Sequence, residues 1–319
     1  MSSRFDSIAV VGAGSVGCFF GARLAAAGNR VILIGRAEHV DAMRAHGLRV
    51  QWADHVQSVA VDADVALDAA RDADLVLVSV KSTDTAATAR ALAPLLRDDA
   101  LVLSLQNGVE NAATLGAALR QRVIACAVYV ATSMAGPGIV AHHGRGDLVI
   151  GPPHGSAADS ALDARLQDLA QLFGAAGVPV RVSADVDSAL WRKLLVNCAF
   201  NAISALTQLP YGRMAEQPAI VALQHDIARE VIAVAHADGR RLDQDEALRA
   251  IDAIAATMPQ QVSSTAQDLA RGRPTEIDHL NGFVARRGAQ LGVDTPVNRT
   301  LHALVRLAES ARAADSPAR

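Results

Sequence analysis

Short apolar runs alternate with alanine-rich stretches of helical period through the first half of the chain, and beyond the middle the apolar runs stop. The strand candidates are Ile8–Val11, Val31–Ile34, Leu75–Val80, Leu101–Leu105 and Val123–Val130. Nearly continuous apolar runs of this length suit strands covered on both faces. Helical patterns occupy Val16–Ala27, Thr85–Leu96 and Val109–Leu119. Around Leu48–Val61 and again around Ile139–Ile150 the pattern changes to paired short strands, which reads as two hairpins. A helix at Asp159–Ala176 and a short strand at Pro179–Val182 close this half. From Asp185 onward no strand signal remains. Helices are expected at Asp187–Leu206, Pro218–Asp238, Gln244–Met258, Ser264–Ala270, Glu276–Leu291 and Pro296–Ala314. The pattern predicts an α/β protein: an N-terminal Rossmann-type doubly wound sheet over residues 1–184, then an all-α C-terminal domain over residues 185–319.

Composition narrows the function more than the fold. The 319 residues are 51% apolar and 20% charged, which excludes a disordered chain. A net charge of −3, with no basic run, argues against a nucleic-acid partner or a membrane surface. The apolar runs are too short to span a bilayer, and the N-terminus leads into a strand with no apolar signal core, so a cytoplasmic protein is expected. Cys18, Cys126 and Cys198 are widely spaced and form no C-x-x-C, so they read as small buried apolar residues rather than metal ligands. Of the 30 basic residues only two are lysines, Lys81 and Lys193. A chain that meets its solvation needs with arginine keeps few lysines for bland reasons, and the two amines become candidates for proton chemistry.

Gly12-Ala13-Gly14-Ser15-Val16-Gly17 is a G-x-G-x-x-G that follows an apolar strand and opens a helix. In that context the glycines permit a tight turn, close approach to a pyrophosphate and close helix–strand packing. The second strand ends in Leu33-Ile34-Gly35-Arg36. It carries no carboxylate for a ribose 2′-hydroxyl, and Arg36 could pair with a 2′-phosphate, so NADP(H) is the expected cofactor. Two later loops, Ser79–Thr83 and Leu105–Val109, follow strands of the same sheet and should face the ligand crevice with Lys81 and Asn107. Asn107-Gly108 is equally a common turn pair.

In the second half, Lys193, Asn197 and Asn201 recur every four residues on an otherwise apolar helix and so share one stripe. Buried polar groups need partners: they bond one another and the backbone, or they line a polar pocket. A desolvated amine gives up its proton more readily, which suits a general acid near neutral pH. Further on, Ser263–Asp268 precedes Arg273-Pro274-Thr275-Glu276-Ile277-Asp278-His279-Leu280-Asn281-Gly282. Glu276 in a first helical turn is as consistent with capping as with catalysis. His142 and His143, with no acid or nucleophile pattern nearby, read as structural.

Taken in order, the G-A-G-S-V-G, V-K-S-T-D-T, Q-N-G-V, H-x-G-x-G, W-R-K-L-x-x-N-x-x-x-N and R-P-T-E-I-D-x-L-N-G segments resemble the ketopantoate reductase (2-dehydropantoate 2-reductase) family across essentially the whole chain. The resemblance implies an NADPH-dependent reduction of a 2-oxo acid, usually ketopantoate to (R)-pantoate on the way to pantothenate and coenzyme A. It also implies roles. Lys193 would be the general acid at the 2-oxo group, and Glu276 would bind the substrate hydroxyl and orient Lys193. Asn107 and Ser264 would hold the carboxylate, Asn197 and Asn201 would line the substrate site, and Lys81 would lie by the nicotinamide. Tyr211 stands where some members carry a further asparagine, which leaves the particular 2-oxo acid open. A homodimer is compatible with the family. The rival expectations are a paralogous reductase of another 2-oxo acid and a non-catalytic NADP-binding sensor.

Overall fold

The computed structural model describes residues 5–153, 155 and 159–315. It divides into two compact units, Met1–Asp187 and Ser188–Arg319.

The first unit contains β1 (Ser7–Val11), α1 (Ser15–Ala26), β2 (Arg30–Ile34), α2 (Ala37–His46), β3 (Leu48–Gln51), β4 (Val56–Val59) and β5 (Asp62–Asp64). It continues with β6 (Leu75–Val78), α3 (Thr85–Leu92), β7 (Leu101–Ser104), α4 (Asn111–Gly116), β8 (Arg122–Gly136), β9 (Ile139–Gly151), α5 (Ser160–Ala175) and β10 (Val180–Val182). The strands form one mixed sheet in the order β4-β3-β9-β8-β7-β6-β1-β2-β5, with β10 paired to β9. From β7 through β6, β1 and β2 to β5 every pairing is parallel. Strands β6 and β7 are buried along their whole length, as the all-apolar Leu-Val-Leu-Val pattern demands of β6. Strand order reverses at β1, which has β2 on one side and β6 on the other. That is where ligands bind in such sheets.

Four features differ from the sequence pattern, the first being α2 itself, a helix that the pattern did not mark. Ile139–Ile150 is not a hairpin of its own but lies within one strand, β9, whose antiparallel partner is β8. β8 runs six residues beyond Val130, because pairing with β9 carries Ala131–Gly136, half-buried apart from the exposed Ala135, which no apolar pattern marked. Its first residues, Arg122–Ile124, pair parallel with β7, and the rest pairs antiparallel with β9. β5 has only three residues, two of them aspartates, and is held by backbone pairing to β2 and by Arg44, which donates to Ala63 O and Asp64 Oδ2.

The second unit holds most of α6 (Val186–Thr207), then α7 (Tyr211–Ala215), α8 (Pro218–Ala237), α9 (Gln244–Thr257), α10 (Ser264–Ala270), α11 (Asn281–Leu291) and α12 (Pro296–Asp315). The five-residue α7, too short for a periodic signal, is the one helix unanticipated here. The helix expected at Glu276–Leu291 is instead a tight helical turn at Ile277–His279 followed by α11, broken at Leu280 (φ −112°, ψ −107°). Glu276 therefore precedes a turn rather than sitting in a helix. The Asn281 amide anchors the break, donating to Cys198 O in α6 and to Asn298 Oδ1 in α12. The Glu230 carboxylate of α8 accepts from the backbone of Val297 and Asn298 and so seats the N-terminus of α12.

Candidate functional site

The loop from β1 to α1 is built almost wholly from backbone. Gly12 N and Ala13 N both donate to Ile34 O, at 2.9 and 3.0 Å, tying the loop to the end of β2. Gly12 has φ +109°, and a Cβ there would lie 2.6 Å from Ser79 C and Val80 N after β6. Only glycine fits. A Cβ on Gly17 would run into Gly12 O and Ser79 Oγ, and that hydroxyl donates to Gly12 O at 2.7 Å. Gly14 is the opposite case, since a Cβ there meets nothing within 4 Å. It precedes α1, with no side chain capping the helix and no acid in its first turn. The N-terminus of α1 is thus uncapped and open at Gly14, an arrangement suited to an anion. A dinucleotide diphosphate fits this cradle.

Arg36 sits at the N-cap of α2 with its side chain 65% exposed, Nη2 lying 3.3 Å from His39 Nε2 and 3.6 Å from Glu38 Oε1. The strand tip itself carries only Gly35, as the sequence reading expects. Glu38 is the neighbour that reading missed.

The β6 and β7 loops are joined by buried side chains. Lys81 enters the turn Ser82–Asp84 in extended conformation. Asn107 O accepts from Ser82 Oγ at 2.8 Å and from Asn111 Nδ2 at 2.6 Å. Gln106 Nε2 donates to Val80 O and to Thr85 Oγ1, and Thr85 Oγ1 donates to Asn111 Oδ1. Ser82, Thr85, Gln106 and Asn111 are all buried, so the lattice holds the backbone on both sides of Lys81 and Asn107 in one register. Ser82, Thr85 and Gln106 lie inside the V-K-S-T-D-T and Q-N-G-V segments without a role assigned to them, and Asn111 lies outside both, because isolated polar residues beside strands resemble ordinary loop residues.

On α6, Asn201 is buried while Lys193 and Asn197 are half-buried, so the stripe is not the wholly buried one expected of so apolar a helix. The intervening Leu194, Leu195 and Cys198 are buried. Asn201 O accepts from Ser263 Oγ at 3.2 Å, and Ser263 caps α10 by accepting from Ala266 N. Ser264, the first residue of α10, is thereby brought beside the far end of the stripe. The Asn281 bond to Cys198 O and the edge-on packing of Trp191 against Phe283, 5.6 Å between centroids, tie α6 to the chain just after Glu276. Residues far apart in sequence thus converge on one helix. Tyr211 is buried 4.5 Å from the Phe200 ring, and burial pushes its phenol well above the usual tyrosine range.

Other reactive groups lie elsewhere. Burial raises the Cys18 thiol to about 12 and pushes Cys198 higher still, which suppresses thiolate chemistry at both. His142 stacks on Phe19 at 4.8 Å and His143 pairs with Ser133 Oγ. Among the described residues no helix is long and apolar enough to cross a membrane, and no cluster of three or more His, Cys, Asp or Glu could hold a metal ion.

Comparison with known proteins finds one family in both units. The family model described as "Ketopantoate reductase PanE/ApbA" matches residues 8–155, and "Ketopantoate reductase PanE/ApbA C terminal" matches residues 185–309. A 2-dehydropantoate 2-reductase of Halobacterium salinarum is 39% identical over 313 residues, covering 95% of this chain and 98% of the relative. The crystal structure of a PanE/ApbA family ketopantoate reductase from Ralstonia eutropha JMP134 superposes with a TM-score of 0.88 at 53% identity, covering 96% of this chain and 99% of that one. A ternary structure of D-mandelate dehydrogenase with NADH and anilino(oxo)acetate superposes with a TM-score of 0.89 at 25% identity, covering the same shares. The chain belongs to the ketopantoate reductase family.

Proposed function

We propose that this protein reduces ketopantoate (2-dehydropantoate) to (R)-pantoate with NADPH. Gly12, Ala13, Gly14, Ser15, Val16 and Gly17 would hold the diphosphate at the N-terminus of α1, Arg36 would meet the 2′-phosphate, and Lys81 and Asn107 would lie toward the nicotinamide. When bound, NADPH supplies a hydride to the carbonyl carbon of the substrate. The charge left on the carbonyl oxygen is the chain's problem. Lys193 donates a hydrogen bond to that oxygen and then a proton, leaving a neutral amine that solvent reprotonates. Glu276 accepts from the substrate hydroxyl and keeps Lys193 oriented. Asn107 and Ser264 bind the carboxylate, while Asn197 and Asn201 line the site along α6. The observation that carries this reading is the α6 stripe, with α10 bonded at its Asn201 end and the start of α11 bonded at Cys198.

Two observations favour a second reading. Glu38 shares Arg36, which works against a second negative charge there, and the NADH-bound D-mandelate dehydrogenase is structurally as similar as the ketopantoate reductase. An NADH-linked reductase of an aromatic 2-oxo acid would account for both. The test is turnover of ketopantoate, ketoisovalerate, pyruvate and phenylglyoxylate with each cofactor. A ketopantoate preference of about tenfold, ~1.4 kcal/mol in transition-state binding, together with preference for NADPH supports the first reading. Phenylglyoxylate with NADH as the best pair replaces it with the second.

A further inference from the structure

The residue before the tight turn, Glu276, is gripped from both sides by one face of α12. On its N-terminal side, Thr275 N donates to Glu309 Oε1 at 2.6 Å. On its C-terminal side, Asp278 Oδ1 lies 2.6 Å from His302 Nε2, and Arg306 Nη1 lies 3.9 Å from Asp278 Oδ2. Arg306 closes the arrangement by donating to Glu309 Oε2 at 2.8 Å. His302, Arg306 and Glu309 are spaced i, i+4, i+7, so they share one stripe of the helix. The turn adds its own bonds, Ile277 N to Thr275 Oγ1 and His279 N to Glu276 O, and Arg286 holds Asp278 O at 2.8 Å. The helix can come this close because position 282 is glycine: a Cβ there would lie 2.8 Å from the His302 ring.

Most of these groups are too exposed for their ion pairs to contribute much stability. Glu309, with its side chain only 12% exposed, is the exception. Yet together they fix the backbone on either side of a single carboxylate. We infer that His302, Arg306 and Glu309 are positioning residues, which set the placement of Glu276 for substrate binding without touching substrate themselves. The inference rests on the reading of Glu276 given above.

The experiment is a double-mutant cycle between Glu309→Ala and Glu276→Ala, read as kcat and KM for ketopantoate at saturating NADPH. In the otherwise native enzyme, Glu309→Ala should raise KM by about tenfold with a smaller change in kcat. Glu309→Gln, whose amide oxygen still accepts from Thr275 N, should stay within about threefold of the native enzyme. In the Glu276→Ala background, Glu309→Ala should add almost no further loss, since the group it positions is gone. Should Glu309→Ala fail to fold, His302→Ala at the other end of the grip carries the same comparison. Equal losses in the two backgrounds would mean a merely structural role and overturn the inference. So would Glu309→Ala and His302→Ala both staying within about twofold of native while Glu276→Ala is crippled. If Glu276→Ala alone is as active as the native enzyme, the reading of Glu276 falls, and the positioning role falls with it.

Discussion

The loop after β1 and the turn around Glu276 are both proposed above to present a few atoms to a ligand, but they are held in opposite ways. The loop is backbone packed on backbone: Gly12 and Ala13 donate to Ile34 O, and Gly12 abuts the chain at Ser79. The turn is held by side chains that arrive from α12, Glu309 reaching Thr275 across 34 residues of sequence and His302 reaching Asp278 across 24. A backbone-built site tolerates much in its surroundings and almost nothing at its own Cβ positions. A site built by side chains inverts that tolerance, because its own residues can change shape while the distant partners cannot change chemistry.

The largest effect that would sharpen this contrast is expected at Lys193. Lys193→Ala should lower kcat by about a thousandfold while leaving NADPH affinity and melting temperature nearly unchanged, because the lost group is half-buried and the proposed mechanism assigns it proton transfer. Turnover near the native value would remove Lys193 from the mechanism. Next comes the loop. Gly12→Ala should abolish measurable NADPH binding in a fluorescence titration, or prevent folding, whereas Gly14→Ala should fold normally and weaken the cofactor by about tenfold. Equal behaviour of the two variants would break the idea of a backbone-built cradle. Smaller again is Thr85→Val, which strands one Gln106 N–H and the Asn111 Oδ1 and should cost ~1–3 kcal/mol in urea unfolding. An unchanged midpoint would show that the lattice between the β6 and β7 loops contributes nothing.

The smallest effect belongs to Asp278. Burial pushes its carboxyl upward, but the hydrogen bond to His302 and the charges of Arg306, His302 and Arg286 outweigh that, and its pKa lies below the usual carboxylate value. A depressed folded-state value means that the stabilisation is present above the unfolded pKa of about 4 and is lost as the pH falls through the folded one. Native protein should therefore lose more stability than Asp278→Asn between about pH 5 and pH 3, by well under ~1 kcal/mol because the pair is partly exposed. Parallel pH–stability curves for the two proteins would show that the pairing is energetically silent.

The same contrast explains what sequence pattern could reveal. Gly12, Gly14 and Gly17 were legible because the motif that carries them is local, a strand, a turn and a helix in twenty residues, even though Ser79 and Val80 also confine Gly12. The stripe of Lys193, Asn197 and Asn201 was legible through helical period, although its half-exposure was not, since period places residues on a face and does not say what covers it. The break at Leu280 and the role of Glu309 were invisible, because they depend on Asn281 and Thr275 finding partners in other helices. The extension of β8 was hidden for the same reason, its last residues being recruited by β9.

That extended strand also bears on how the chain folds. β8 and β9 are joined by Pro137 and Gly138 alone, so their ladder can close early from nearby residues at little loop-closure cost. The parallel pairings of β7, β6, β1 and β2 each require a long crossover and must come later. Because Arg122–Ile124 continue the same strand, the finished hairpin presents a ready edge on which β7 can pair. Shortening β8 at its Gly136 end should therefore slow refolding more than it lowers final stability.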